Sequence, residues 1–422
     1  MSAATAVVAG TTRLNRRAIA LSVFYFGLAA VLILLFGSGI EPGARTTFTL
    51  NLGAAPAIAL PDLVIPAAPV VYLMAGVAAF CGALQLTKAV GTKWAVLLSV
   101  AVVAFVFGFL TWAAAGTSMS LIGVLQTTLY RAVPITFAAL SGVLCERSGV
   151  VNIAIEGMLL SGAFAAAVAA SITGSTWAGV IAGVVTGGLL AAVLAVLSIR
   201  YVVNQIIAGT VINIFAAGIT AFLSTRVLSQ DKGLNTPPRF DPIVVPVLSD
   251  IPIIGPIFFS GSFFVYALFV LVGLIHFALF YTRYGLRVRS VGEHPRAADT
   301  VGINVNFTRY RNVILGGMMA GFGGAYFTIG STGSFEREMT AGRGFIGLAA
   351  MIFGGWTPIG AVLDSLVFGF ADALQSRLSI LVSAVPSEFL GMIPYITTIA
   401  VVAGLVGRVR MPAADGTPYV KE

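Results

Sequence analysis

The chain has 422 residues, of which 58% are hydrophobic and 9% charged, against about 25% charged in an ordinary soluble domain. That composition excludes a soluble globular protein. The formal net charge of +8 is scattered between long apolar runs, so it is read against a membrane and no nucleic-acid partner is expected. Two cysteines and two histidines leave no disulfide framework and no zinc cluster, and neither a metal nor a cofactor is expected.

A hydrocarbon core of about 30 Å takes roughly 20 helical residues to cross, with every backbone polar group paired inside the helix. In chain order, apolar runs predict spans at 18–36, 70–86, 94–115, 121–143, 151–172, 176–199, 202–223, 263–281, 313–330, 345–355, 359–374 and 389–406. The fold expected is an all-α polytopic membrane protein of about twelve helices. The first run follows Arg16 and Arg17 as a signal peptide would, but it is longer than a signal core of about 7–15 residues and is read as a retained helix. With the N-terminus inside, the inner side receives 16 basic and 5 acidic residues and the outer side 7 and 8. The positive-inside rule therefore predicts cytoplasmic N- and C-termini in a plasma membrane.

Between the spans, 37–69 is expected outside, with an alternating strand-like stretch from Arg45. Segment 224–262 is proline-rich and predicts an irregular outer cap. Segment 282–312 is expected inside, with Arg283, Arg287, Arg289, Arg296, Arg309 and Arg311 against Glu293 and Asp299; attraction to anionic membrane lipid is one use for such a loop. The two short runs near the C-terminus are divided by Gly354-Gly355-Trp356-Thr357-Pro358. Interrupted helices are tolerated at membrane depth only inside a bundle. Glycines such as Gly316, Gly317 and Gly321 suit close helix approach. The domains expected are 1–115, N-terminal helices with the extracytoplasmic segment 37–69, then 116–410, a helical core with the outer cap 224–262 and the cytoplasmic loop 282–312, and 411–422, a cytoplasmic tail.

Ionisable and amide groups inside apolar runs are the functional candidates. Asn152 and Glu156, four apart, are predicted to share a helix face, where such a pair either hydrogen-bonds a polar solute or ties two helices together. Asn204, Gln205 and Asn213 follow; Gln205 and Asn213, eight apart, nearly share a face, and uncharged amides suit either a neutral polar solute or interhelical bonding. Asp364 and Asp372 suggest a proton or sodium relay, Arg131 a buried partner for an acid, and His276 a packing residue. No nucleophile and base stand at useful spacing and there is no P-loop, so the chain is not expected to be an enzyme, and any ATPase is another polypeptide.

The run RSVGEHPRAADTVGIN (289–304) resembles the cytoplasmic coupling segment of ABC importer permeases of the ribose and branched-chain amino acid type, and GRGFIGLAAMIFGGWTPIG (342–360) resembles the broken-helix signature of the same family. AVPI (132–135) and CERSGVVNIAIEGM (145–158) resemble its subgroup paired with basic membrane lipoproteins, which imports nucleosides. The resemblance covers about 121–407 and sets apart two N-terminal helices as an addition to a ten-helix core. It implies an ATPase subunit with two nucleotide-binding cassettes, a second homologous permease and an extracytoplasmic substrate-binding lipoprotein. It also implies a short docking helix among Gly292, Glu293, His294, Pro295, Ala297, Ala298 and Gly302, with Asn152, Glu156, Asn204, Gln205 and Asn213 facing the solute. Pro295 fits an early helical position, where its missing N–H costs nothing. Within the family a sugar or branched-chain amino acid is the alternative solute. From another class, an ion-coupled secondary transporter is the alternative, hinted at by Glu146-Arg147 and Glu336-Arg337 before two broken motifs.

Overall fold

A computed structural model describes residues 16–52, 59–87, 94–381, 392 and 410–421; the span predicted at 389–406 lies outside them. The chain divides into two compact units, the first made mainly of residues up to Leu121 and the second of nearly all that follows.

In the first unit, α1 (Arg16–Val31) runs on through a π turn, Leu32–Phe36. The alternation from Arg45 becomes β1 (Arg45–Thr49), with Thr46 and Phe48 buried. It pairs antiparallel with β2 (Leu63–Pro66), which leads into α2 (Ala67–Leu86). After α3 (Trp94–Ala113), β3 (Ser118–Ser120) pairs with β1 in parallel. The buried Thr46 hydroxyl donates to the Thr111 carbonyl at 2.7 Å and ties the sheet to α3. Ala29, Leu32, Val71, Ala75 and Ala78 form the unit's core. Among the described residues it holds the three long helices α1, α2 and α3.

The second unit begins with α4 (Leu121–Glu146), α5 (Ile155–Thr173), α6 (Thr176–Ala195) and α7 (Gln205–Leu223). The cap region carries a two-residue ladder, β4 (Ile243–Val244) with β5 (Ser260–Gly261), around α8 (Ile254–Phe258). It is fastened to α4, because Gln126 donates to Pro256 O at 2.8 Å and Tyr130 to Ser260 O at 3.0 Å. Then come α9 (Phe263–Tyr281), α10 (Arg283–Glu293), α11 (Pro295–Thr300), α12 (Val305–Ala325), α13 (Arg343–Phe353) and α14 (Pro358–Leu381).

Helices α5, α6 and α12 meet backbone to backbone. A Cβ added at Gly187 would stand 2.2 Å from Gly317 O, and one at Gly321 2.1 Å from Gly183 O. Dispersion between closely packed backbones takes the place of a hydrophobic driving force that lipid does not supply. Among the described residues ten helices are long and apolar enough to cross a membrane, and the chain is a multi-pass, all-α membrane protein. The run predicted at 345–355 is α13, of 11 residues; at 1.5 Å per residue it is about 16 Å long, half a hydrocarbon core.

Candidate functional site

The site is built by two interruptions of the helical chain. The first is the linker 147–154 after α4. Gly149 takes φ +86 and Asn152 Oδ1 accepts from the amide of Ala154 at 3.0 Å, a local turn that competes with helix, so α5 starts only at Ile155. The helix start predicted at 151 and the face predicted for Asn152 and Glu156 are thereby corrected: Asn152 precedes the helix, fully buried, with its amide nitrogen toward Cys145 Sγ at 3.5 Å and Met158 Sδ at 3.7 Å.

Helix α7 holds this linker in place. Gln205 Oε1 accepts from the Val151 amide at 2.7 Å. Asn213 Oδ1 accepts from the Gly157 amide and its nitrogen donates to Ile153 O, both at 2.8 Å. The spacing of Gln205 and Asn213 does put both on one face, turned to the linker and the first turn of α5. Asn204 stands outside the helix predicted at 202–223: exposed, it caps α7 by accepting from the amides of Ile206 and Ile207. A side-chain acceptor at this position satisfies amides that have no partner within the helix.

The second interruption, 333–342 after α12 and its π turn Tyr326–Thr332, leads to the start of α13. There Glu156 meets it. Oε1 accepts from the Thr340 hydroxyl at 2.6 Å and the Gly342 amide at 2.9 Å, while Oε2 accepts from the Gly344 amide at 2.6 Å. A carboxylate at a helix N-terminus answers both the free amides and the positive end of the helix dipole.

The depth of this meeting follows from the other end of α13. Trp356 Nε1 donates to Glu146 Oε2 at 2.6 Å, and Arg147 donates to the carbonyls of Trp356 and Gly355 at 2.8 and 3.0 Å. The C-terminal end of α13 is therefore level with the end of α4, and its N-terminus lies about 16 Å further in. Two half-entering segments thus converge near mid-depth.

An ion-pair layer lies at the same level. Arg343 donates to Asp372 Oδ2 at 2.9 Å, and Arg131 approaches the same oxygen at 3.5 Å. Asp372 is thus the acid that Arg131 partners, a choice the sequence leaves open, and with its side chain 40% exposed Arg131 is not the buried partner expected. Arg343 and Asp372 side chains are 15% and 19% exposed. Asp364 lies eight residues from Asp372 on α14, and His276 packs against Phe280 with ring centroids 4.9 Å apart and the planes tilted by 33°. Arg343 and Thr340 were not singled out in the sequence; their signal was the Gly-Arg-Gly start of a helix too short to cross.

The coupling-type segment lies at the end where α4 finishes. Thr282 caps α10, accepting from the Gly285 amide at 3.3 Å. The His294 side chain caps α11 through a 3.3 Å bond from the Ala297 amide, with Pro295 in its first turn. Ala298 is buried, Glu293, His294 and Ala297 are exposed, and Gly302 closes the segment at φ +85. Gly292 packs so closely that an added Cβ would stand 2.3 Å from Arg147 O. At the opposite end, a cavity of about 480 Å³ is lined by Ser224, Ser229, Lys232, Asn235, Thr236 and Phe335. Asn235 and the Phe335 backbone exchange hydrogen bonds of 3.0 and 2.6 Å there, at the start of the second interruption.

The profile of a family described as branched-chain amino acid transport system / permease component matches residues 124–402. The guanosine ABC transporter permease protein NupQ of Bacillus subtilis is 38% identical over 307 residues, 71% of this chain and 96% of its own. The nucleoside ABC transporter permease protein NupC of Lactococcus lactis is 39% identical over the same shares. A putative glucose ABC transporter permease protein of Haloferax volcanii, TsgC13, is 34% identical over 68% of this chain and 92% of its own. No solved structure matches.

Proposed function

The chain belongs to the branched-chain amino acid transport system permease family, and from that premise we propose that it is the membrane-spanning permease subunit of an ABC importer for nucleosides. The observation that carries the proposal is the near-complete coverage of two permeases named for guanosine and nucleosides, joined to a polar layer half-way across the bundle. Glucose, suggested by the more distant TsgC13, is the second solute to test, since a sugar offers the same hydroxyl donors as a ribose.

The charge distribution supports an inside position for α10, α11 and both termini, which puts the 480 Å³ cavity outside. A solute released by a binding lipoprotein would enter there, above Phe335, and reach Thr340, Glu156 and Arg343. Three of the roughly four bonds a carboxylate can accept are taken at Glu156, which is half-buried, so one site on Oε2 is left for a hydroxyl donor of a nucleoside. Asn152, Gln205 and Asn213 would hold the Glu156 segment in register, with Asn204 fixing the start of α7. A separate ATPase with two cassettes would grip α11 through Glu293, His294 and Ala297. A second, homologous permease would complete the pore.

The test is uptake of labelled guanosine into vesicles holding this permease, its partner permease, the ATPase and the binding lipoprotein. Uptake should require the ATPase and be competed by other nucleosides but not by glucose. Uptake that persists without the ATPase, or collapses with an ionophore, would sink the proposal in favour of ion coupling.

A further inference from the structure

Residues 410–421 form no regular element beyond a turn, yet Pro412, Ala414 and Tyr419 are buried. One side of this segment is fixed to the coupling-type helices. The Ala414 amide donates to Gly292 O at 2.8 Å and the Ala413 amide to Glu293 Oε2 at 3.2 Å. Tyr419 joins Val291, Ala298 and Val305 in one apolar cluster, and Lys421 Nζ stands 3.4 Å from Asp299 Oδ1.

The other side is fixed to the first interruption of the chain. A Cβ added at Gly149 would stand 3.1 Å from Ala414 O, and one at Gly416 3.3 Å from Val151 Cγ2. Buried Arg309 donates to Thr417 O at 3.0 Å. Helix α11 has only six residues, of which Ala298 alone is buried. So small an apolar area holds a helix weakly, and Tyr419 supplies the other wall of its cluster.

We propose that residues 410–421 are a working part of the coupling element: they fasten α11 to the linker 147–154, so that movement of α11 reaches Glu156 and the start of α13. The route is continuous. It runs from Ala298 to Tyr419, along the segment to Ala414, across to Gly149, and through Val151 and Asn152 to Glu156. The proposal rests on α11 being the contact of the ATPase.

The test compares the full chain with a chain ending at Arg410 and with Tyr419→Ser, each in the reconstituted transporter. In both variants ATP hydrolysis should continue while uptake falls about tenfold, a size usual for coupling between sites. Backbone amide exchange across 148–158 should rise in both, with 205–223 unchanged. Full uptake with unchanged exchange at 148–158 would overturn the proposal. Should the shortened chain not be recovered, exchange in Tyr419→Ser decides alone: a rise supports the fastening and no change refutes it. ATPase-independent uptake by the full chain would instead refute the importer reading, and the exchange result would still stand or fall separately.

Discussion

The amide of Gly344 donates to Glu156 Oε2 at 2.6 Å, and a Cβ at Gly344 would stand 2.6 Å from Glu156 Cα. The first turns of α5 and α13, each following an interruption of the chain, are thereby in backbone contact through residues 188 apart in sequence.

Gly344→Ala should therefore be poorly tolerated. Two of the three atoms it would strike, Glu156 Cα and N, are backbone and cannot rotate away, so the two segments must separate, at a cost of about 1–3 kcal/mol. Gly273→Ala in α9, with nothing within 4 Å of the added carbon, is the control. Thermal midpoints in detergent and vesicle uptake should drop for the first substitution and hold for the second.

Glu156→Gln keeps the shape of the side chain but replaces one acceptor oxygen with an NH₂ group that must face an N–H or O–H donor. Three hydrogen bonds now converge on the carboxylate, and bonds to a charged acceptor contribute about 1.5–3 kcal/mol each at most. The expected result is a destabilised chain with strongly reduced uptake at unchanged insertion. Chemical denaturation in detergent would read the first effect, and initial uptake rates the second.

Much of this architecture was legible from the residues. The Gly354–Pro358 break, the Pro295 helix, the alternation from Arg45 and the Gln205–Asn213 face each have a short-range cause. What could not be read was depth. That Arg343 shares a level with Glu156 and Asp372 depends on α13 being anchored at one end by Trp356 on Glu146, a contact between residues 210 apart. The Asn152 error has a local origin: apolar neighbours continue a helical pattern, but the Asn152 side chain bonds its own backbone and Gly149 turns the chain. The tail reads in the sequence only as a cytoplasmic end, because backbone groups make many of its contacts, such as the Ala414 amide on Gly292 O.

Asp372→Asn should leave Arg343 without its closest counter-charge in a mostly buried setting. Breaking a buried pair from one side costs about 3–5 kcal/mol, more than removing both partners; partial exposure of the pair lowers this, while Arg131, a second cation left facing Arg343, adds to it. The double variant Arg343→Gln with Asp372→Asn should recover part of the loss. Unfolding free energies for the single and double variants form the cycle that measures it.

The tail should respond to pH. Burial pushes the Asp415 carboxyl above its ordinary range, against the opposing effects of hydrogen bonds from Glu146 and the Gly416 backbone and of the nearby Arg309 charge. A carboxyl whose pKa is higher in the docked state than in the free chain favours docking most when protonated. That contribution is complete below the free value of about 3.9 and is lost as pH rises through the raised one. Amide exchange at 411–421, corrected for its intrinsic pH dependence, should thus show tighter docking as pH falls into the mildly acidic range, and Asp415→Asn should flatten the profile.

In the proposed importer a nucleoside passes the layer formed by Glu156, Thr340 and Arg343. Photolabelling with an azido-nucleoside in vesicles carrying the assembled transporter, followed by peptide mapping, tests it most directly. Label is expected within 153–158 and 340–344, suppressed by excess guanosine and weakened in Glu156→Gln. Guanosine-protected label confined to other segments, with these two unmodified, would contradict it.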